Sequence, residues 1–271
     1  MTLVLVTGGT GHLGQDLVDR LVRDGHQVRI FARSRRPRAD VEWAIGDLAT
    51  GEGLPTALRG VHTVINAATH SPVAQRGGFR PVDFFKSPSD VDAEGTQRLL
   101  DLCQQASVQH FLHVSIVGLD DASLPYARVK LAGERMVRES GLSWSLVRAM
   151  PFYYLLENML AGLAWLPVWP VPKTVFNPVD TSDVADYLAH VAFDGSRGER
   201  AEIGGPEDLG LVEFARQYQQ SRGMHRPIVP IHLSDKAGRG MGFVVSTGGV
   251  RGTLTWREWL GRRFSEVRAA A

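Results

Sequence analysis

The sequence predicts an α/β protein built on a doubly wound parallel sheet, with a small C-terminal α/β lobe packed against it. Three observations predict this fold. Short β-rich runs alternate with helical periodicity in the first half, a glycine-rich turn follows the first run, and no internal repeat interrupts the pattern. A chain of 271 residues with 44% hydrophobic residues can bury a core of that size.

Six strands are predicted, each as an apolar or alternating run that ends at turn residues. They cover residues 3–7, 27–32, 41–45, 61–67, 108–115 and 142–148. Apolar residues at helical spacing predict helices between the strands. These helices run from the glycine turn to Gly25, over 92–106, and from about Leu124 to Ser140, the last one opened by Ser123 and Pro125.

The pattern loosens after Pro151, where the shorter pieces include predicted helices over 182–193 and 211–221. We therefore predict a first domain over residues 1–150 and a smaller lobe over residues 151–271, with an interleaved boundary. No clean linker separates the two parts, so the lobe is expected to pack on the first domain.

Composition and charge exclude several classes of partner. A formal net charge of +1 gives no electrostatic footprint for nucleic acid or an anionic membrane. The single cysteine, Cys103, cannot form an intramolecular disulfide, and the first apolar run is too short for a secretory signal, so we expect a cytoplasmic protein.

Three prolines interrupt the apolar stretch 149–172, which predicts a helix plus loop rather than a membrane span. His110 and His113 point to opposite faces of a predicted strand, so no metal site is predicted.

The glycine-rich turn GGTGHLG follows the first strand and opens a helix, which is the setting of a Rossmann-type dinucleotide site. Gly9, Gly11 and Gly14 fit the spacing GxGxxG, and Gly8, Gly11 and Gly14 fit GxxGxxG. In either register the missing side chains let the backbone approach a pyrophosphate, whose charge meets the helix N-terminus. The turn therefore predicts a dinucleotide cofactor.

Residues at the end of the second predicted strand indicate which dinucleotide is bound. A site that prefers NAD(H) places a carboxylate there, whereas this chain has Arg33, followed by Ser34 and further arginines. Because a guanidinium binds a phosphate with two parallel hydrogen bonds, NADP(H) is the predicted cofactor, and NAD(H) is the alternative.

Two further strand ends carry candidate cofactor contacts. Asp47, followed by Leu48 in the motif IGDL, could accept a hydrogen bond from an adenine amino group. Ala67 and Ala68, after the fourth predicted strand, are small enough for the backbone to approach a bound cofactor.

The strongest catalytic signal is the pair Tyr126 and Lys130, with Ser115 at the end of the preceding strand. The spacing i, i+4 places the phenol and the ammonium on one face of the predicted helix. A cation there stabilises the tyrosinate and could hold the ribose hydroxyls, which makes Tyr126 a candidate acid/base. Ser115 could donate a hydrogen bond to a substrate carbonyl oxygen, where negative charge develops.

These motifs together resemble the short-chain dehydrogenase/reductase superfamily, and within it the atypical, NmrA-like NAD(P)H-binding group. The resemblance implies the GxxGxxG register and a phosphate loop lined by Thr10, His12 and Leu13. It also implies that Arg148 to Phe152, including Pro151, run beside the nicotinamide, and that Ser115, Tyr126 and Lys130 occupy the catalytic positions. The matching segments are VTGGTGHLG, IGDL, VHTVINAA, VDAEGTQRLLDLC, FLHVSIVG, GERMVRESGLSWSLVRAMPF and NPVDTSDVAD.

We therefore expect a monomeric or homodimeric NADPH-dependent oxidoreductase that acts on a small molecule. Aromatic side chains within 70–90 and after residue 151 favour an apolar or aromatic carbonyl, quinone or conjugated acceptor. Residues 70–90 are predicted to form a mobile loop, and the sequence leaves open whether it acts as a lid. Two alternatives stay open: a regulator that senses NADP(H) without turnover, and an epimerase or isomerase that retains its cofactor.

Overall fold

The computed structural model describes residues 2–69, 89–120, 125–195, 197–234, 245–246 and 249–269. Over these residues the strands are β1 (Leu3–Thr7), β2 (Gln27–Ala32), β3 (Glu42–Ile45), β4 (Thr63–Asn66), β5 (His110–Ile116), β6 (Trp144–Ala149), β7 (Trp169–Pro172), β8 (Val175–Phe176), β9 (Gly198–Glu199), β10 (Ile203–Gly204), β11 (Leu209–Gly210), β12 (Ile228–Ile231) and β13 (Val250–Arg251). The α-helices of the same residues are α1 (His12–Arg23), α2 (Leu54–Ala57), α3 (Thr96–Gln105), α4 (Pro125–Glu139), α5 (Tyr153–Ala161), α6 (Thr181–Phe193), α7 (Leu211–Ser221) and α8 (Trp256–Ala269).

Nine of the described strands form one parallel sheet in the order β13-β10-β6-β5-β4-β1-β2-β3, with β9 beside β6. Side chains alternate between the two faces of each strand, so Val4 and Val6 join one apolar core while Leu5 joins the other. Helices α1 and α6 pack together on the first face, and α2, α3 and α4 cover the second. The predicted doubly wound parallel sheet is confirmed.

The strand order reverses at β1, which pairs with β2 on one side and with β4 on the other. Chain connections leave β1 and β4 in opposite directions across the sheet at this point, which opens a crevice at the carboxyl ends of the two strands. The glycine turn after β1 and the segment after β4 therefore line the same crevice.

The C-terminal part of the chain contributes both to the main sheet and to a smaller lobe. Strands β9, β10 and β13 extend the sheet beyond β6, whereas β12 pairs with β7 and β11 pairs with β8 in two small sheets. Residues on both sides of position 150 therefore share the main sheet. The domain boundary at residue 150 stays a prediction. In the apolar stretch 149–172, helix α5 is followed by a loop and by β7, whose Trp169 is fully buried. No helix among the described residues is long and apolar enough to cross a membrane.

The region predicted as one helix over 92–106 begins earlier and differently. A π-helical turn, Asp90–Gly95, precedes α3, and its wider backbone brings Asp92 to a buried position. Helix α4 begins at Pro125, and the predicted capping residue Ser123 lies outside the described residues. The predicted loop 70–90 also lies outside them as far as residue 88.

Candidate functional site

The glycine turn is held by backbone contacts that exclude side chains at two of its positions. Gly8 has φ of +73°, and a Cβ added there would lie 2.6 Å from the carbonyl oxygen of Ala67. A Cβ added to Gly14 would lie 2.1 Å from the carbonyl oxygen of Gly8. Both distances are far below van der Waals contact, so only glycine allows the turn to fold this tightly. Gly8 and Gly14 are the outer glycines of the GxxGxxG spacing.

The first turn of α1 offers an anion site at the end of this loop. Gly11 is the N-cap residue and provides no side-chain cap, and no acidic residue occupies the first turn. The amide of Gln15 already bonds to the carbonyl of Gly11, which leaves the preceding amides of the turn available. Uncapped amides and the helix dipole attract a phosphate group, so the loop fits a pyrophosphate.

The segment after β4 lies directly against the glycine turn. The carbonyl of Ala67 and the amide of Ala68 both lie within 2.8 Å of the position that a Gly8 Cβ would occupy. The amide of Ala67 bonds to the carbonyl of Thr7, which continues the pairing of β4 with β1. The structure thus brings the predicted Gly8, Ala67 and Ala68 into one crevice.

The predicted phosphate-selecting residues lie at the end of β2, and both are exposed. Arg33 and Ser34 follow directly after Ala32, and Arg33 forms no ion pair within the described part of the chain. Arg38, from the same basic run, is held by Asp19 at 2.6 Å and Asp40 at 2.9 Å. The guanidinium of Arg33 is therefore free to meet a ligand phosphate, whereas Arg38 has a structural role.

Asp47 and Leu48 have local contacts after β3. One carboxylate oxygen of Asp47 accepts a hydrogen bond from the amide of Ala49 at 2.8 Å, which fixes the turn. Leu48 is buried and packs in the core beneath α3. A single carboxylate oxygen of Asp47 takes part in the turn, so the other keeps the acceptor capacity that the predicted adenine contact requires.

Tyr126 and Lys130 lie on one face of α4, as their spacing predicts. The Lys130 ammonium nitrogen is 5.8 Å from the centroid of the Tyr126 ring. The phenol is half-buried at the first turn of the helix, whereas Lys130 is 4% exposed. A buried ammonium next to a partly accessible phenol is an arrangement that can stabilise a tyrosinate.

Two residues that the sequence did not single out complete this cluster. The Lys130 Nζ lies 2.6 Å from Asp92 Oδ1, and the Thr69 hydroxyl donates to Asp92 Oδ2 at 3.2 Å. The same Thr69 oxygen is 3.4 Å from the Tyr126 hydroxyl. Since Thr69 follows Ala68, it connects the phenol to the segment that lines the glycine turn. The sequence did contain a signal for Asp92. This carboxylate stands at helical spacing from Thr96, Leu99 and Cys103, and so lies on the buried face of the helix.

Ionisation in the cluster follows from burial and charge. Burial by itself lowers the pKa of Lys130, but the neighbouring Tyr126 phenol and Asp92 carboxylate raise it, and the resulting pKa lies above the ordinary lysine value. His113 lies on β5, and burial lowers its pKa to about 4. Lys130 is therefore charged and His113 neutral near pH 7.

Ser115 lies on β5 next to a second polar cluster. Its hydroxyl is buried and has no hydrogen bond of normal geometry within the described residues. Across the sheet Ser115 pairs with Arg148, whose guanidinium holds the fully buried Glu134 at 2.7 Å and Asp120 at 2.5 Å. Burial raises the pKa of Glu134, but the hydrogen bonds from Arg148 bring this pKa below its usual value. The serine thus faces Glu134 on the side of the sheet that α4 covers.

Aromatic rings pack beside the glycine turn, at the start of α1. The rings of His12 and Tyr154 stack with centroids 4.2 Å apart, and Phe152 stacks on Tyr154 at 5.8 Å. Burial, together with the nearby Tyr126, raises the pKa of Tyr154 to about 12. The backbone of Pro151 accepts from Val179, which fixes the start of α5. His12 and Phe152 of the predicted set are therefore linked through the Tyr154 ring, a residue to which the sequence assigned no role.

Comparison with known proteins relates this geometry to a family. A family of domains described as NAD(P)H-binding matches residues 8–194, which include the glycine turn, β4, and the Tyr126 and Lys130 pair. The photosystem II assembly factor Ycf39 of Cyanophora paradoxa is 30% identical over 193 residues, which are 68% of this chain and 57% of that protein. A 3-beta-hydroxysteroid dehydrogenase of Mycolicibacterium neoaurum is 28% identical over 267 residues, covering 84% of this chain and 72% of that protein.

Solved structures share the fold over the full length of the chain. MoeE5 in complex with UDP-glucose and NAD superposes with a TM-score of 0.76 at 22% identity, covering 98% of this chain and 99% of the other. The UDP-Glc/GlcNAc 4-epimerase of Campylobacter jejuni gives a TM-score of 0.77 at 12% identity, with complete coverage of both chains. At such identities the likeness concerns the fold.

Proposed function

Since the chain belongs to the NAD(P)H-binding family, as an atypical member of the short-chain dehydrogenase/reductase superfamily, we propose that it is an NADPH-dependent oxidoreductase. Its acceptor is a carbonyl, quinone or conjugated compound of apolar or aromatic character. The observation that carries the proposal is the cluster of Tyr126, Lys130, Asp92 and Thr69 beside the glycine turn. A protein that only bound the cofactor would have no use for a phenol supported by a buried ammonium at this point.

The residues present fit NADP(H). The backbone of Gly8 to Gly14, with Thr10, His12 and Leu13, would hold the pyrophosphate at the start of α1. The exposed guanidinium of Arg33, with Ser34, would bind the 2′-phosphate, and Asp47 would accept from the adenine. When bound, the nicotinamide supplies hydride chemistry.

The chain's own residues would supply the proton and hold the acceptor. Tyr126 donates its phenolic proton to the acceptor oxygen, and the Lys130 ammonium stabilises the tyrosinate that remains. Lys130 and the backbone near Pro151 would hold the nicotinamide ribose, and Ser115 would orient the acceptor oxygen. The rings of Phe152 and Tyr154 supply an apolar wall for a flat acceptor. The similarity to a hydroxysteroid dehydrogenase supports an apolar ring ketone as one acceptor class.

The proposal is tested by following NADPH absorbance with a panel of quinones, apolar ketones and a steroid ketone. Wild-type protein is compared with Tyr126→Phe and with the control Tyr187→Phe, which removes a phenol from α6 on the other face of the sheet. We expect at least one acceptor to be reduced by the wild type and the control but not by Tyr126→Phe. Equal turnover by all three proteins would contradict the proposed role of Tyr126.

A second candidate is a regulatory or assembly protein that binds NADP(H) without turnover. It is supported by the similarity to the assembly factor Ycf39, together with the side chain of Trp165, which is 79% exposed on the loop after α5. If NADPH binds tightly and no acceptor in the panel is reduced, this second function is favoured. A cytoplasmic location and a monomeric or homodimeric state stay predictions for either function.

A further inference from the structure

The small sheet formed by β7 and β12 carries an apolar face that points away from the core. Trp169 pairs with Ile228, and both side chains point to the same side of this sheet. Trp169 is fully buried, so that side faces the core and the alternate positions face outward. The outward positions, together with one residue of the preceding loop, form what we call the β7/β12 face: Trp165, Val168, Pro170, Pro172, Val229 and Ile231.

Large apolar side chains are concentrated on the β7/β12 face. Trp165 is 79% exposed, and Val168, Val229 and Ile231 are 42%, 50% and 41% exposed. The part of the chain that the structure describes exposes seven large hydrophobic side chains, and these are four of them. Single exposed apolar residues are ordinary, whereas a group on one face indicates an interaction surface.

The free edge of β12 is poorly suited to binding another strand. Among the residues that the structure describes, β12 pairs with β7 alone. The carbonyl oxygens of Pro227 and Ile231 accept hydrogen bonds from β7, so the backbone groups of alternate residues of β12 face that strand. Those of Pro230 face the free edge, where proline has no amide proton to donate. A partner therefore meets the side chains of the face rather than the backbone of the edge.

The charge around the β7/β12 face has one sign. The two segments that build it, residues 158–179 and 214–234, contain no acidic residue, although the chain has 29. Their cations are Lys173, Arg216, Arg222 and Arg226. Arg226 precedes β12 and Lys173 follows β7, so a cation stands at each end of the face, and neither forms an ion pair with a described residue. The formal net charge of +1 thus conceals a local positive excess.

We propose that the β7/β12 face docks on an anionic lipid surface. An exposed tryptophan and aliphatic side chains enter the boundary between headgroups and acyl chains, while the bordering ammonium and guanidinium groups contact lipid phosphates. The expectation that an anionic membrane is not bound follows from the average charge of the chain, and the charge around this face differs from that average. The inference goes beyond the proposed function and holds whether or not the protein reduces an acceptor.

Vesicle flotation with the full chain tests the proposal. Protein is mixed with vesicles of phosphatidylcholine and phosphatidylglycerol, or of phosphatidylcholine alone, and we expect association with the anionic vesicles only. Trp165→Ser should weaken this association at least about tenfold, because an apolar ring no longer enters the bilayer. Arg226→Glu should weaken it at least about fivefold, the factor that one cation contributes near an anionic surface. The controls are Ile45→Ser, at an exposed apolar position on β3, and Arg135→Glu, on α4, and both should bind as the wild type does.

Fluorescence gives a second measurement on the same surface. The emission of Trp165, isolated by subtracting the spectrum of Trp165→Phe, should move to shorter wavelength when anionic vesicles are added. If Trp165→Ser does not fold, as judged by circular dichroism, Val229→Ser replaces it and is expected to weaken association as well.

Three outcomes overturn the proposal. They are equal association with both kinds of vesicle, association of Trp165→Ser and Val229→Ser as strong as that of the wild type, and no association with either vesicle. In the last case, a dimer that Trp165→Ser dissociates, as measured by light scattering, would assign the β7/β12 face to a second copy of this chain instead.

Discussion

The Lys130 ammonium lies 2.6 Å from the Asp92 carboxylate, and the two side chains are 5% and 1% exposed. Neither group can be lost alone without leaving the other charged in an apolar setting. In Lys130→Met, the buried Asp92 carboxylate would lose the ammonium that lies 2.6 Å from it. We expect the free energy of unfolding to fall by about 3–5 kcal/mol at pH 7.

The loss in Lys130→Met should depend on pH in a defined direction. Without Lys130, burial raises the pKa of Asp92 in the folded state above its unfolded value, so protonation relieves the penalty. The difference in stability from wild type is therefore full above that raised pKa and shrinks as the pH falls through it. Urea unfolding at several pH values measures this difference. A deficit of the same size at pH 4 and pH 7 would show that lost packing, not loss of the ion pair with Lys130, is responsible.

The contact between Gly14 and Gly8 predicts a severe effect of one added methyl group. The Cβ of Gly14→Ala would lie 2.1 Å from the carbonyl oxygen of Gly8, so the glycine turn must open. We expect NADPH affinity, measured by fluorescence titration, to fall at least about tenfold, since the pyrophosphate loses several amide hydrogen bonds. Gly261→Ala on α8 is the control, because its Cβ meets no atom within 4 Å. Equal affinity in the two variants would place the cofactor elsewhere.

The exposed Arg33 predicts cofactor selectivity. Because only NADPH carries the 2′-phosphate, Arg33→Ala should weaken NADPH by about tenfold to a hundredfold and leave NADH nearly unchanged. Arg38→Ala is the matched control, since Asp19 and Asp40 already hold its guanidinium. The dissociation constants of NADPH and NADH are measured for the wild type and for both variants. Losses of equal size for NADPH and NADH in Arg33→Ala would remove the assignment of the phosphate to this residue.

Two buried histidines predict loss of stability in mild acid. Burial lowers the pKa values of His110 and His113 to about 4, whereas unfolded histidine titrates near pH 6.5. Their depressed pKa values leave stability intact above about pH 6.5, and stability falls between there and about pH 4 by about 1.4 kcal/mol per pH unit for each histidine.

The variant His113→Gln should reduce that slope, as measured by chemical unfolding at successive pH values. His190→Gln is the control, because the His190 side chain is 69% exposed on α6. A slope that His113→Gln leaves as steep as in wild type would contradict the buried, neutral state of His113.

The sequence predicted those parts of the site that depend on local chain geometry. Gly8 and Gly14 are close in sequence, and Tyr126 and Lys130 are one helical turn apart, so spacing alone places them. Asp92 was missed because its partner lies on another element, and an acidic residue in the first turn of a helix has an ordinary explanation in the helix dipole.

Thr69 belonged to no motif, and its approach to the phenol is a tertiary contact between the segment after β4 and helix α4. Ser115 shows the converse limit. Its position at a strand end was predicted, but which face its side chain takes depends on register: Ser115 pairs with Arg148 and faces Glu134. Tertiary contacts of this kind have no periodic signal in the chain.

The most direct test of the central claim compares binding and turnover in one variant. Tyr126→Phe removes a single hydroxyl and leaves Lys130, Asp92 and the glycine turn in place. We predict that NADPH binds to it with the wild-type dissociation constant while the rate of acceptor reduction falls by about a hundredfold or more. An unchanged rate of acceptor reduction in Tyr126→Phe, with NADPH still bound, would contradict the account.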